Sequence, residues 1–138
     1  RTALYAQGED LHVAIWPGSK RNTNDITRFI ALESRSYVAS VSGLMRKSDL
    51  PDRLPGIEQV IENSPDLLAN GGSCIAGPDG SWIVEPFCNE EKILVAMLDH
   101  TRVREERQNF DPTGHYSRSD VLKLFVDRKR QTAAEFLD

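Results

Sequence analysis

Two cysteines are the side chains of this 138-residue chain best suited to nucleophilic chemistry. Cys74 lies among apolar neighbours, which favours a buried structural thiol over a nucleophile. Cys88 is close in sequence to Glu85, Glu90 and Glu91, and acidic neighbours disfavour the thiolate form that attacks. We therefore interpret both thiols as structural, with a reactive role for Cys74 as the alternative.

The three histidines, His12, His100 and His115, are far apart in the sequence and show no HxxxH spacing; no CxxC pair is present either. Glycine-rich phosphate loops, dinucleotide-binding glycine motifs and the GxSxG nucleophile motif are also absent from the sequence. The sequence therefore predicts no metal and no cofactor, and its own residues compose no complete catalytic set.

Trp16 and Pro17 follow a short apolar run that begins at Leu11 and is predicted to be a largely buried strand. A tryptophan at the end of such a strand, directly before Pro-Gly, lies where α/β folds form pockets. Two interpretations stay open: Trp16 lines a binding pocket, or it covers the rim of the core.

Residues 114–120 form a second group of polar and aromatic side chains, in an irregular segment. His115, Arg118 and Asp120 could connect backbone carbonyls to a carboxylate there. This favours a structural hydrogen-bonded corner, with a functional role for the segment as the alternative.

Glu33 continues an apolar helix face at the i+7 position and is expected to be at least partly buried. That face consists of Ile26, Phe29 and Ile30. A buried carboxylate needs a partner, and Arg28 or Arg35 could supply it. A structural ion pair is the favoured interpretation, and acid–base catalysis is the alternative.

Helix and strand alternate among the elements that must position these residues. The patterns predict a helix over residues 1–7, a strand over 11–16, a helix over 26–33 with N-cap candidates at 22–25, and a strand over 37–41. This order favours a layered α/β arrangement.

The second part of the chain is predicted to be more irregular. Its strongest signal is a β-hairpin with arms at 73–76 and 81–84 around the Pro-Asp-Gly turn, whereas the Gly-Gly pair at 71–72 breaks the chain. The other segments are a surface excursion over 48–65, an apolar run over 92–98, a solvated helix over 101–108, an irregular stretch over 111–120 and a last short strand over 121–126.

Composition places the chain among ordinary globular domains, since 39% of its residues are hydrophobic and 28% are charged. With 17 Lys+Arg against 21 Asp+Glu the net charge is −4, which predicts neither nucleic-acid nor membrane-surface binding. No apolar run approaches the roughly 18 residues of a transmembrane helix. Two isolated cysteines are typical of a reduced compartment, so a cytoplasmic location is expected.

Four segments resemble, in the same order, those of microbial nitrilases in the carbon–nitrogen hydrolase superfamily. Residues 1–17 resemble the segment after the catalytic cysteine, and residues 28–38 the next helix and strand. Residues 70–80 resemble the family's hairpin, and residues 111–121 its Gly-His-Tyr-x-Arg-Pro-Asp motif, in which Ser119 takes the place of the proline.

The resemblance implies the C-terminal part of an α-β-β-α sandwich, with a mixed sheet and helices on the outer face. Residues 1–126 would form the C-terminal half of the domain and residues 127–138 an exposed tail. The family hydrolyses an organic nitrile to a carboxylic acid and ammonia through a cysteine thioimidate and thioester. Its Glu–Lys–Cys set lies upstream of the resembling segments, so this chain alone is expected to be inactive. Alternatives are a cyanide hydrolase, an amidase or a carbamoylase, or a non-catalytic assembly module.

The same resemblance implies roles for individual residues. Trp16 and Pro17 would lie at the wall of the nitrile pocket, with His115 near it. The helices at 2–7 and 26–33 would form a subunit interface, which gives the face of Ile26 and Phe29 a second interpretation besides the chain's own core. Ile30, Glu33, Arg118 and Asp120 complete the residues assigned to structure or interface. Expected partners are the N-terminal half of the same enzyme, a small nitrile, and further copies from a dimer to a spiral.

Overall fold

A computed structural model describes residues 1–51 and 53–129 of the chain. The alternation of helix and strand predicted for the first part of the chain is confirmed. In chain order the elements are α1 (Thr2–Tyr5), β1 (Leu11–Trp16), α2 (Lys20–Ser34), β2 (Tyr37–Ser42), β3 (Leu44–Arg46), a 3-10 turn (Lys47–Asp49), α3 (Ile57–Asn63), β4 (Leu67–Ala76), β5 (Trp82–Cys88) and α4 (His100–Asn109).

The five strands form one mixed sheet. β1 and β2 are parallel and are joined by α2, which gives a β-α-β unit. β4 pairs antiparallel with β2, β3 and β5. The predicted hairpin is confirmed as β4 and β5, whose turn is closed by a hydrogen bond from the amide of Gly77 to the carbonyl of Ser81. The mixed α/β fold class is confirmed with it.

Helix α2 covers one face of the sheet. Alternation along the strands directs Val38 and Ala76 to this face, where they pack with Ile30 and Ala31 in a buried cluster. Ile26 and Trp82 lie partly buried at its margin. The remaining buried positions of α2 carry hydroxyls, namely Thr23, Thr27 and Ser34.

The predicted face of α2 is only partly correct. Ile30 is buried, whereas Phe29 is 51% exposed, because the stripe toward the sheet is completed by threonine and serine. The helix also begins earlier than the candidate caps at 22–25. Ser19 is the N-cap, without a side-chain cap bond, and the amide of Lys20 donates to the side-chain oxygen of Asn70 at 2.9 Å. A side chain 50 residues away therefore replaces a local cap.

The opposite face of the sheet is uncovered along β1 and at the end of β2. We call this exposed apolar part the open sheet face, formed by Leu11, Val13, Ile15 and Val41. β1 was expected to be largely buried, but it is an edge strand on which Val13 is 59% and Ile15 83% exposed. The alternate β1 positions His12, Ala14 and Trp16 are buried or half-buried on the α2 side. The strand therefore has one covered face and one bare face.

The segment over residues 92–98 is extended but is assigned to no strand. Leu94 lines a cavity with Ala39 and Val41, so the segment lies along the open sheet face. Its alternate side chains are exposed to between 83% and 93%; they are Ile93, Val95 and Met97.

Two other predictions for the second part of the chain are wrong, and a third lies mostly outside the described residues. The pair Gly71 and Gly72 lies inside β4, at a register shift with positive φ, and does not end the strand. Residues 121–126 form no strand and are exposed. Of the tail, residues 127–129 are exposed, while 130–138 lie outside the described residues.

The solvated helix predicted at 101–108 is confirmed as α4. Only its Val103 is buried. Among the described residues, ion pairs join Arg102 to Asp79 at 2.7 Å and Glu106 to Arg35 at 3.0 Å, which attach α4 to the hairpin turn and to the end of α2. No helix in the described part of the chain is long and apolar enough to span a membrane.

Candidate functional site

Trp16 lies at the carboxyl end of β1 with its indole half-buried on the α2 side of the sheet. The indole Nε1 donates a hydrogen bond to Ser40 Oγ at 3.1 Å, and Ser40 Oγ lies 2.6 Å from Thr27 Oγ1. Pro17, the next residue, is exposed. Trp16 is therefore anchored through the polar edge of its indole.

The loop after Trp16 is held against the bulge of β4. The amide of Ser19 donates to the carbonyl of Gly71 at 3.0 Å, and Ser42 Oγ donates to the same carbonyl at 2.6 Å. Thr23 Oγ1 donates to the carbonyl of Gly72 at 2.7 Å. Sequence reasoning did not single out Ser40, Ser42 or Asn70; the only available signal was the alternation of serines in β2.

Cys74 is buried, as predicted, and its Sγ donates to Thr27 Oγ1 at 3.5 Å. Burial raises the pKa of the Cys74 thiol, which opposes formation of a nucleophilic thiolate. The predicted burial of this cysteine is confirmed. Cys88 is half-buried at the end of β5, where its Sγ lies 3.8 Å from the carbonyl of Pro86.

Glu33 is half-buried and paired, but not with the arginines expected from the sequence. Its carboxylate accepts hydrogen bonds from Tyr5 Oη at 2.8 Å and Arg1 Nε at 3.0 Å. The expected partners are engaged elsewhere, since Arg28 donates to the carbonyl of Gly80 and Arg35 to Glu106. Sequence proximity was misleading because α1 packs beside α2 and brings a distant arginine to the carboxylate.

Glu33→Gln is expected to lower the free energy of unfolding near pH 7 by about 1 kcal/mol, the usual worth of hydrogen bonds to a charged group that is partly solvated. Partial burial alone would raise the pKa of Glu33, but the bonds from Tyr5 and Arg1 outweigh it and lower that pKa. The contribution is therefore complete above the ordinary pKa of 4.5 and disappears as the pH falls through the lower folded-state value.

Urea unfolding between pH 3 and pH 7 measures this effect. The difference between the parent and Glu33→Gln should shrink as the solution is acidified. Glu62→Gln, at an exposed position of α3, serves as the control and should show no such dependence. Parallel curves for the parent and Glu33→Gln at all pH values would contradict the assignment.

The segment at 114–120 is a hydrogen-bonded corner, but its central carboxylate differs from the expected one. Asp111 accepts from the amides of Thr113 at 3.0 Å and Gly114 at 2.9 Å. Arg118 and Asp120 pair with each other at 2.7 Å on the exposed surface and so satisfy one another's charge.

His115 is exposed, and its ring contacts that of Tyr116 in a tilted arrangement, with ring centroids 4.9 Å apart. In residues 1–51 and 53–129, no hydrogen bond or ring contact joins it to Trp16. A cavity of about 640 Å³ lies between α1 and the segment after the corner, lined among others by Thr2, Thr113 and Leu122. The structure therefore does not bring the two expected pocket residues into one site.

Helices α1 and α2 meet at a surface that we call the helical surface, formed by Leu4, Phe29 and Leu32. These three side chains are 45%, 51% and 40% exposed. The guanidinium of Arg1 lies 5.7 Å from the centroid of the Phe29 ring, beside its bond to Glu33. The two helices assigned to a subunit interface are thus adjacent and partly apolar toward solvent.

Comparisons with known proteins agree on one family, although no protein-family model matches the chain. It is 34% identical over 134 residues to an aliphatic nitrilase of Sinorhizobium fredii, covering 96% of this chain and 42% of that protein. It is 35% identical over 132 residues to a bifunctional nitrilase/nitrile hydratase of Lupinus angustifolius, covering 91% and 37%. It is 31% identical over 140 residues to nitrilase 2 of Arabidopsis thaliana, covering 99% and 41%.

The fold is similar to the crystal structure of a carbon–nitrogen hydrolase from Helicobacter pylori G27. The TM-score is 0.59 at 20% identity, over 88% of this chain and 44% of that one. In every one of these comparisons the chain spans less than half of the relative's length. The sequence comparisons show that the chain belongs to the nitrilase family and matches one part of its members, and the structural comparison shows that its fold is similar to that of a carbon–nitrogen hydrolase.

Proposed function

We propose that the chain is the C-terminal part of a nitrilase that hydrolyses an organic nitrile to a carboxylic acid and ammonia. The Glu–Lys–Cys set is assigned to a preceding part of the enzyme, and this chain supplies the pocket wall and the fold around it. The observation that carries the proposal is the sheet itself. One face is covered by α2, and the other is apolar and bare at Val13 and Ile15, as one layer of an α-β-β-α sandwich would be before the second layer packs on it.

The open sheet face is the proposed contact with the remaining part of the enzyme. Stacked sheets pack about 10 Å apart through interdigitating apolar side chains. Leu11, Val13, Ile15 and Val41 present such side chains and no charge. On this proposal residues 1–126 belong to the domain, and 127–138 follow it as a tail.

The helical surface is the proposed contact between copies of the enzyme. Ile26 and Ile30 pack inside the chain, so only Phe29 of the expected face is free for such a contact. Leu4 and Leu32 are the other exposed apolar side chains of the two helices, and exposed apolar area favours association where it forms a contiguous patch.

The proposed activity is tested by ammonia release from aliphatic and arylacetic nitriles. The chain alone is expected to be inactive, whereas a longer polypeptide that carries both this chain and a nitrilase N-terminal part is expected to be active. Corresponding amides and carbamoyl compounds serve as competing substrates. Hydrolysis of amides in preference to nitriles, by the longer polypeptide, would contradict the proposal and favour an amidase.

Trp16→Ala in that longer polypeptide is expected to change the relative rates among nitriles more than it changes the melting temperature. The reason is the position of the indole, half-buried at the carboxyl end of β1, where its removal enlarges a pocket. Trp82→Ala is the matched control, since Trp82 packs at the margin of the core cluster. It should lower the melting temperature and leave the ratios of rates unchanged. The opposite pattern would show that Trp16 only covers the core.

A further inference from the structure

We infer that the hydroxyl pair of Thr27 and Ser40 is a positioning device that fixes the orientation of the Trp16 indole and thereby sets which nitriles fit beside it. The part of this inference that concerns nitriles rests on the proposed function. The part that concerns the indole stands on the geometry of this chain alone.

The geometry is a continuous chain of hydrogen bonds across the contact between sheet and helix. Trp16 and Ser40 lie on neighbouring parallel strands, and the indole Nε1 donates to Ser40 Oγ at 3.1 Å. Ser40 Oγ lies 2.6 Å from Thr27 Oγ1 on α2. On the far side, Cys74 Sγ donates to Thr27 Oγ1 at 3.5 Å. An indole N–H can only donate, so Ser40 must remain available as an acceptor for it.

Burial makes this chain of bonds rigid. Thr27 is fully buried and Ser40 is 2% exposed, so neither hydroxyl can exchange its partner for water. Losing one partner would leave a buried polar group unsatisfied, which is costly. The two hydroxyls therefore have one favourable arrangement, and the indole that depends on them has one favourable orientation.

The position of the hydroxyls within the helix contact supports a role beyond packing. The same contact is apolar where Ile30 and Ala31 meet Val38. It becomes polar at Thr27 and Ser40, next to Trp16. If packing were the only requirement, two apolar side chains of the same shape would stabilise this contact equally. A half-buried indole, in contrast, needs a polar anchor to hold one rotamer, because its exposed side imposes no steric limit.

Fluorescence of Trp16 tests the positioning directly. The sequence contains two tryptophans, so a Trp82→Phe background leaves Trp16 as the only indole. Ser40→Ala removes the acceptor, Thr27→Val removes the second hydroxyl, and Thr27→Ser keeps that hydroxyl while it removes a methyl group. Time-resolved anisotropy is measured on each variant of the chain, with far-UV circular dichroism as the check of folding.

Ser40→Ala and Thr27→Val are expected to increase the amplitude of fast indole motion by about twofold, since an unanchored side chain changes rotamer within nanoseconds. Thr27→Ser is expected to behave as the parent. Unchanged anisotropy in a folded Ser40→Ala chain would overturn the inference. So would equal effects of Thr27→Ser and Thr27→Val, because these would assign the change to packing. If Ser40→Ala fails to fold, the comparison between Thr27→Val and Thr27→Ser decides whether the inference holds.

The consequence for substrates is measured in the active longer polypeptide. Ser40→Ala is expected to change the ratio of kcat/KM between a bulky and a small nitrile by about tenfold, because misplacement of a pocket wall alters how each substrate is held. A changed anisotropy with an unchanged ratio would overturn the link to substrate choice. An inactive longer polypeptide of parental sequence would instead count against the proposed function, and the anisotropy result would be unaffected.

Discussion

Gly72→Ala is expected to destabilise the chain by about 2–5 kcal/mol, since it combines backbone strain with a steric overlap. Gly72 has φ +103°, a conformation that residues with a Cβ rarely adopt. A Cβ at this position would lie 2.6 Å from Cα and 2.9 Å from the amide nitrogen of Lys20. Both atoms belong to the backbone of the first turn of α2, so no side-chain rotation relieves the overlap.

Urea unfolding of the chain measures this loss, and Gly56→Ala is the matched control. Gly56 also has a positive φ, +79°, but a Cβ there would meet no atom within 4 Å. The control therefore reports the strain alone, about 1 kcal/mol. The excess in Gly72→Ala reports the close approach between β4 and α2. Equal losses in the two variants would mean that α2 moves away without cost.

The same close approach explains why Gly72→Ala should also disturb the loop after Trp16. The carbonyl of Gly72 accepts from Thr23, and the carbonyl of Gly71 accepts from Ser19 and Ser42. A displaced bulge would break these bonds together, because they share two adjacent peptide groups. In the Trp82→Phe background, the emission of Trp16 should therefore change along with stability.

The order of helices and strands could be predicted because it depends on local patterns. Apolar periodicity located β1 and α2, and a Pro-Asp-Gly turn located the hairpin. The buried face of α2 could not be predicted in the same way. Periodicity predicts that Phe29 is a core residue because it is apolar. The sheet, however, presents the hydroxyl of Ser40 and the carbonyl of Gly72 to α2, and Thr27 and Thr23 are the residues that bond to them.

In the candidate site too, features that depend on neighbouring residues could be predicted from the sequence, whereas partners distant in the sequence could not. Trp16 could be singled out from a strand followed by Pro-Gly, whereas its anchor Ser40 lies 24 residues away and Thr27 on a different element. Glu33 could be recognised as paired, but its partner Arg1 is 32 residues distant. Long-range polar partners leave no periodic signal, since one hydroxyl or carboxylate is enough to make each bond.

The exposure of apolar side chains is the third point at which sequence and structure differ, and the proposed second sheet offers an explanation for it. β1 and the segment 92–98 have apolar patterns that predict burial, yet Ile15 and Val95 are each 83% exposed. The relatives compared above extend well beyond the region that they share with this chain. The chain covers only 37–42% of their length. On the proposed sandwich, these patterns would encode contacts with a second sheet.

Ile15→Asp tests that explanation, and its expected effect depends on context. In the chain alone the change should cost at most about 1 kcal/mol, the range of strand propensities, because the side chain at this position is exposed. In a longer polypeptide with the second sheet in place, the carboxylate would be buried between two sheets without a partner. A buried unpaired charge costs several kcal/mol after relaxation, so soluble, active enzyme should be lost.

Soluble yield and ammonia release measure the result in the longer polypeptide, and urea unfolding measures it in the chain. Ile61→Asp is the matched control: Ile61 is 46% exposed on α3, away from the open sheet face. It should be tolerated in both contexts. If Ile15→Asp were tolerated in both as well, the open sheet face would not be a buried contact of the enzyme. The proposed sandwich would then lose its main support, because the bare face of β1 is the feature that predicts a second layer.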